Sequence, residues 1–145
     1  MSKVIEKLKQ IQADSWVLNV KFHNYHWNVR GDQFYFYHRS TKSAYEMFFE
    51  IFDYTAERII QLGGKAIVCP KELVEMAKVE NAKKDSFDCE EIVELALKDY
   101  KYILKEFHEL ADLADEAKDR VTSALAYNYI VKYEKEIWMV EQTLE

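Results

Sequence analysis

The chain has 145 residues, the length of one domain, and can bury a sizeable core without disulfide or metal staples. With 3 Gly and 1 Pro it lacks the turn residues of an all-β fold, and at 49% hydrophobic it is too apolar for disorder. Its 20 basic and 26 acidic residues leave a net charge of −6, which argues against a surface built to neutralise phosphates.

From Leu8 the seam runs Leu8, Ile11, Ser15, Leu18, Phe22, Tyr25, Val29. Its steps alternate between three and four, so it predicts a first helix from about Lys3 to Val29. Gly31 stops it, with Asp32 beside it as a turn residue. A second helix is predicted from about Tyr37 to Leu62, on a stripe of Ala44, Phe48, Ile51, Thr55 and Ile59. Gly63 and Gly64 form its cap. Segment 71–78, KELVEMAK, is long enough for only a short helix. NAKKDSFD reads as loop, with Ser86 or Asp88 as the next N-cap.

A third long helix is predicted from about Cys89 to Ala117, with Ile92, Leu95, Tyr102 or Ile103, Phe107 and Leu110 on its apolar face. The break near AKDR contains no Gly or Pro and is the least marked. The fourth helix covers about Asp119 to Leu144, with Leu125, Tyr129, Lys132 or Tyr133, Ile137 and Val140 near one face. Four long helices with one crossing link predict a single all-α domain over residues 1–145. The pattern fits a ferritin-like four-helix bundle with a short extra helix between helices two and three.

No apolar run reaches about 18 residues, so no membrane span is expected. The start, MSKVIEKLKQIQADS, lacks a signal-peptide core. The chain reads as soluble and cytoplasmic. Cys69 and Cys89 flank the long link and read as reduced and partly buried.

Three of the four His, His23, His26 and His38, flank the first break. Asp53 and Glu57 are four apart, on one face of helix two. Histidine with carboxylate suits iron, manganese or zinc. Taken singly, each has a plainer reading: a hydrogen-bonded helical His, or a solvated acidic face. Geometry sharpens the choice. At 1.5 Å per residue, His38 and Asp53 lie about 22 Å apart on one straight helix, while metal bonds are about 2 Å. A metal shared by them needs two chains, with helix two paired antiparallel across a two-fold axis. A carboxylate-bridged site inside one bundle needs E-x-x-H pairs on two helices, and this chain has none.

The run HNYHWNVRGDQF, the following YHRSTKSAYE and the later FDYTAERIIQLGG resemble the signature of the Dps mini-ferritins, the DNA-protection-during-starvation proteins. The resemblance is greatest to the short branch that includes bacterial neutrophil-activating proteins. LKQIQADSWVL and KYEKEIWMVEQTL extend it to both ends of the chain. It implies a hollow dodecamer that oxidises iron between two-fold related subunits. It implies His26 and His38 as imidazole ligands and Asp53 and Glu57 as carboxylate ligands from the partner chain. Trp27 would lie beside the site, His23 outside the ligand set and His108 at the surface. The implied activity is that of a ferroxidase. Hydrogen peroxide takes the electrons of ferrous iron without releasing hydroxyl radical, and ferric mineral collects in the cavity. That means iron storage and relief of oxidative stress. Asp119 is the acid nearest the family's iron-entry pore, while Asp112, Asp115 and Glu116 read as a solvated helix end. Glu46 and Glu50 are candidates for the cavity wall.

One position departs from the family. Four residues after His38 the family often has an acid that helps hold a second metal; here it is Lys42. A charged ammonium has no lone pair for iron and repels a nearby cation. One firm iron position and a weak or absent second one follow, with Lys42 able to pair with the partner's Asp53 or Glu57. The alternative reading is a structural or immunomodulatory shell with an impaired ferroxidase site. DNA binding is expected to be weak or absent, since Lys3, Lys7 and Lys9 stand beside Glu6 in a chain of net charge −6.

Overall fold

The computed structural model describes residues 2–144. The first periodic segment forms α1 (Ser2–Asn28), and the whole seam from Leu8 to Tyr25 is buried. Ser15 fits among apolar neighbours because its hydroxyl donates to the Ile11 carbonyl at 2.7 Å. A two-residue strand, β1 (Val29–Arg30), follows, and Gly31 takes a φ of 125° that favours glycine.

Helix α2 (Phe34–Gln61) starts three residues earlier than its periodicity indicated. The turn closes directly onto it: the Phe34 amide donates to the Gly31 carbonyl and the Tyr37 amide to the Gln33 carbonyl. Phe34, Tyr35 and Phe36 are therefore helical but exposed. At its far end Gly63 has a φ of 88°, and the Gly63 and Gly64 amides return to the Ile60 and Ile59 carbonyls. That is a Schellman cap.

The link contains α3 (Pro70–Met76), begun by proline where no donor is needed, and a second short strand, β2 (Phe87–Asp88). Strands β1 and β2 pair in parallel, Val29 against Phe87 and Arg30 against Asp88. This pair, which the sequence did not mark, sets the start of α4 (Cys89–Glu116) beside the end of α1. Of the two expected caps Asp88 is the one used; its carboxylate accepts from the Glu91 amide at 2.7 Å.

Helix α5 (Arg120–Leu144) follows a break made without glycine. Lys118 adopts a φ of 58°, and the Lys118 and Asp119 amides return to the Asp115 and Ala114 carbonyls. The geometry is again a Schellman cap, with lysine in the left-handed position.

Helices α1 and α2 form one antiparallel hairpin and α4 and α5 the other. Where two registers were open, Ile103 rather than Tyr102 and Tyr133 rather than Lys132 face the core. The link lies against α1 through polar residues that the apolar pattern could not flag. Gln12 brackets Ile67 with two hydrogen bonds, and the Asp14 carboxylate accepts from the Lys78 and Val79 amides. Beneath them Ala13, Ile67 and Leu73 make a small second core. Both cysteines are free; Cys89 is half-buried, but Cys69 is exposed, contrary to expectation, because it only caps the short α3. Among the described residues no helix is long and apolar enough to cross a membrane.

Candidate metal centre

His26 lies in the last turn of α1 and His38 in the second turn of α2. The turn between them folds the second helix back on the first and brings the two rings into contact. They stack with centroids 3.6 Å apart and planes 14° apart. Each ring also holds the other residue's backbone. Nδ1 of His26 donates to the His38 carbonyl at 2.5 Å, and Nδ1 of His38 donates to the His26 carbonyl at 2.8 Å. A carbonyl only accepts, so each Nδ1 carries the hydrogen, and the neutral form of each ring has its lone pair on Nε2. This reciprocal lock fixes the tautomer a metal ligand requires.

Thr41 supports the lock. Its hydroxyl lies 3.3 Å from Nδ1 of His26 and donates to the Tyr37 carbonyl at 2.6 Å. Burial holds the His26 ring below the usual imidazole range, against the pull of the His38 carbonyl. The neighbouring His38, His23 and Lys42 push in the same downward direction as burial. The ring is thereby kept neutral and able to ligate. Nothing in the sequence marked Thr41 beyond its place one turn after His38.

Around this pair, His23 stacks on Tyr45 at 3.6 Å and donates through Nδ1 to the Asn19 carbonyl at 2.7 Å. Trp27 is 66% exposed, its ring 5.3 Å from that of His23. His108 is exposed. Asp53 and Glu57 are exposed on α2, and among the described residues neither has a side-chain hydrogen bond or ion pair. No three or more His, Cys, Asp or Glu side chains converge on one point among the described residues of the single chain. The imidazole pair thus lies at one end of α2 and the two carboxylates towards the other.

Among the described residues the bundle interior offers no substitute. Its centre is aromatic: Phe22 packs against Tyr25 at 5.0 Å, Phe48 at 5.0 Å and Tyr100 at 5.6 Å, and Tyr100 against Tyr133 at 5.7 Å. The buried acids are already engaged. Asp14 accepts four hydrogen bonds, Asp99 pairs with Lys21 at 2.9 Å and Glu106 with Lys7 at 3.2 Å.

Asp119 is the fourth buried acid. Its carboxylate pairs with Arg58 at 3.0 Å and caps α5 through the Thr122 amide at 3.1 Å. Burial opposes its ionisation, but the Thr122 hydrogen bonds and the Arg58 guanidinium outweigh that and hold its carboxyl below the usual range. Arg58 directly follows Glu57, and this clamp ties the carboxylate end of α2 to the start of α5. Sequence reasoning missed Arg58 because its partners lie on another helix. Asp112, Asp115 and Glu116 are exposed, as expected. Glu46 is exposed, and Glu50 accepts from the Tyr129 hydroxyl at 2.8 Å.

The fold agrees with the comparisons to known proteins. The ferritin-like domain family matches residues 5–145, so the chain belongs to the ferritin-like class. Within that class it is a member of the Dps family. It is 42% identical over 142 residues to the DNA protection during starvation protein of Helicobacter pylori, covering 98% of this chain and 99% of the relative. The crystal structure of Helicobacter cinaedi CAIP matches with a TM-score of 0.96 at 43% identity, over 98% of this chain and 99% of that one. A Dps protein from Vibrio cholerae, described as a member of a broad superfamily of ferritin-like diiron-carboxylate proteins, matches with a TM-score of 0.94 at 26% identity. That match covers 99% of this chain and 90% of that one.

Proposed function

We propose that this protein is a ferroxidase and iron store. Two-fold related copies oxidise ferrous iron with hydrogen peroxide at shared sites, and ferric mineral collects inside a hollow dodecamer in the cytoplasm. One observation carries the reading. His26 and His38 are locked with both Nε2 lone pairs unspent, while Asp53 and Glu57 stand uncommitted on the same helix. Antiparallel apposition of α2 with α2 of a second copy completes two sites at once. The surface it would cover includes Phe49, 61% exposed, and Trp27 at its edge.

Ferrous iron is the substrate. The two imidazoles bind it without adding charge, and the two carboxylates supply two negative charges and favour the harder ferric product. A ring already neutral has no proton to lose before binding. Two ferrous ions give the two electrons that, with two protons, convert one hydrogen peroxide to two waters. No hydroxyl radical is then released.

The name of the Helicobacter pylori relative refers to DNA protection. Here a net charge of −6 favours protection by removing iron and peroxide over wrapping of DNA, which should be weak or absent. For Asp119, a direct part in an iron-entry pore would require a carboxylate that Arg58 already neutralises. Lys42 favours a second reading, a structural or immunomodulatory shell with a slow ferroxidase site, since it is an exposed cation one turn from His38. Mineral uptake separates them: a store fills with ferric iron, and an impaired shell takes up little.

The shared site is tested by mixing two inactive variants. His26→Ala/His38→Ala copies lack one half-site, and Asp53→Ala/Glu57→Ala copies lack the other. Each alone should show no catalysed peroxide consumption with ferrous iron. Co-assembled at random, they should recover about a quarter of the wild-type sites, since half the pairs are mixed and each mixed pair has one intact site. No recovery would refute the shared-site reading.

A further inference from the structure

Lys42 stands one turn beyond His38 on the exposed side of α2. It takes part in no ion pair among the described residues, whereas lysines such as Lys7, Lys21 and Lys84 all do. Asp53 and Glu57 are absent from those pairs too. Antiparallel pairing of α2 with its copy imposes a register on these groups. An arrangement that sets His38 of one copy against Glu57 of the other advances one turn along both helices and sets Lys42 against Asp53. Each completed site then holds two neutral imidazoles, two carboxylates and one ammonium. The carboxylates balance one divalent ion. The ammonium makes the site net positive before a second ion can arrive, and it takes a carboxylate that ion would need.

We propose that Lys42 is the resident second cation of each site: it pairs with the partner's Asp53 and limits the site to one divalent metal ion. The proposal rests on the shared-site reading. It has two consequences. One of the two carboxylates of each site is neutralised without metal, so the two-fold interface depends less on metal to form. Iron also enters each site singly, so the two electrons for one peroxide must be drawn from two ferrous ions, one at each site of a pair.

The test uses cobalt(II), which stays divalent and reports histidine and carboxylate ligation in its visible spectrum. The assembled protein is titrated by calorimetry and absorbance. Wild type should bind one tight ion per site, and Lys42→Arg should do the same. Lys42→Asp, which adds a carboxylate in place of the ammonium, should bind two. Lys42→Met removes the charge without adding a ligand, and a second ion should then bind at least tenfold more tightly than in wild type. It also decides the matter if Lys42→Asp does not assemble. Two tight ions in wild type would overturn the proposal, as would no change in second-ion affinity across the variants. A wild type that binds no cobalt, or a His26→Ala/His38→Ala variant that binds it as tightly as wild type, would instead overturn the shared-site reading beneath it.

Discussion

His26 and His38 each donate a ring hydrogen to the other's backbone carbonyl, at 2.5 Å and 2.8 Å, while their rings stack. The pair therefore holds the end of α1 to the start of α2 before any metal is present. A buried hydrogen bond contributes about 1 kcal/mol net. His26→Ala and His38→Ala should each lower metal-free stability by about that much, beyond their effect on metal binding. Asp53→Ala and Glu57→Ala, exposed on the single chain, should change the unfolding of the dissociated subunit by no more than about 0.5 kcal/mol. Urea unfolding in chelator, with oligomeric state monitored, distinguishes these outcomes. Equal effects at all four positions would contradict the asymmetry.

The clamp between Arg58 and Asp119 yields a prediction with a definite pH sign. Removing one member of a buried ion pair costs about 3 kcal/mol because the other charge is left without its partner. Asp119→Asn should therefore destabilise far more than Asp112→Asn or Glu116→Gln. The folded-state carboxyl of Asp119 is held below its unfolded value, so the unfolded chain binds more protons in that range. The stabilisation is present above the ordinary carboxylate range and is lost as pH falls through the lowered folded value. Acid unfolding curves of wild type and Asp119→Asn should converge at low pH. An Asp119→Asn protein of unchanged stability that admits iron slowly would instead support the pore role.

Asp14 carries much of the attachment of the long link. Its carboxylate receives the Lys78 and Val79 amides, the Gln10 amide and the Tyr102 hydroxyl. Asp14→Ala leaves the Lys78 and Val79 amides and the Tyr102 hydroxyl, all in part-buried hydrogen bonds, without this acceptor, at a cost of about 1–3 kcal/mol each where burial keeps water out. Hydrogen exchange should rise at Lys78 and Val79 far more than in α4. Uniform loss of protection across all helices would mean that the link is not a separable unit.

Lys118 sits in the left-handed region, with a φ of 58°. That conformation costs a residue with a Cβ roughly 1–2 kcal/mol, and glycine is spared it. Lys118→Gly should raise stability by about 1 kcal/mol, less whatever extra entropy glycine gives the unfolded chain. Thermal unfolding checks it, and a lower melting temperature would count against the strain argument.

Much of the fold was legible because it is local. The seam of α1 and the stripe of α2 follow helical period, and all the seam residues from Leu8 to Tyr25 are buried. Capping chemistry located the paired glycines and narrowed the α4 cap to Ser86 or Asp88, of which the structure uses Asp88. The early start of α2 was less visible, because Phe34–Tyr37 reads as an apolar run without a face. The parallel contact of Val29 with Phe87 joins distant segments that carry no shared pattern. Gln10, Gln12 and Asp14 look like a solvated stretch of helix, yet they are buried because the link lies over them.

The sequence by itself determined four long helices, a crossing link, and two pairs of candidate ligands too far apart on α2 to meet within one chain. Period, spacing and rise per residue are properties of one helix and need no neighbours. Only the tertiary structure decided what each polar group does. It stacked His26 on His38 and gave each ring a backbone acceptor, which sets the tautomer. It committed Asp119 to Arg58 and left Lys42, Asp53 and Glu57 without an ion pair among the described residues. Those outcomes depend on which helix packs against which, and a hydrogen bond across that contact exists only once the packing has been made.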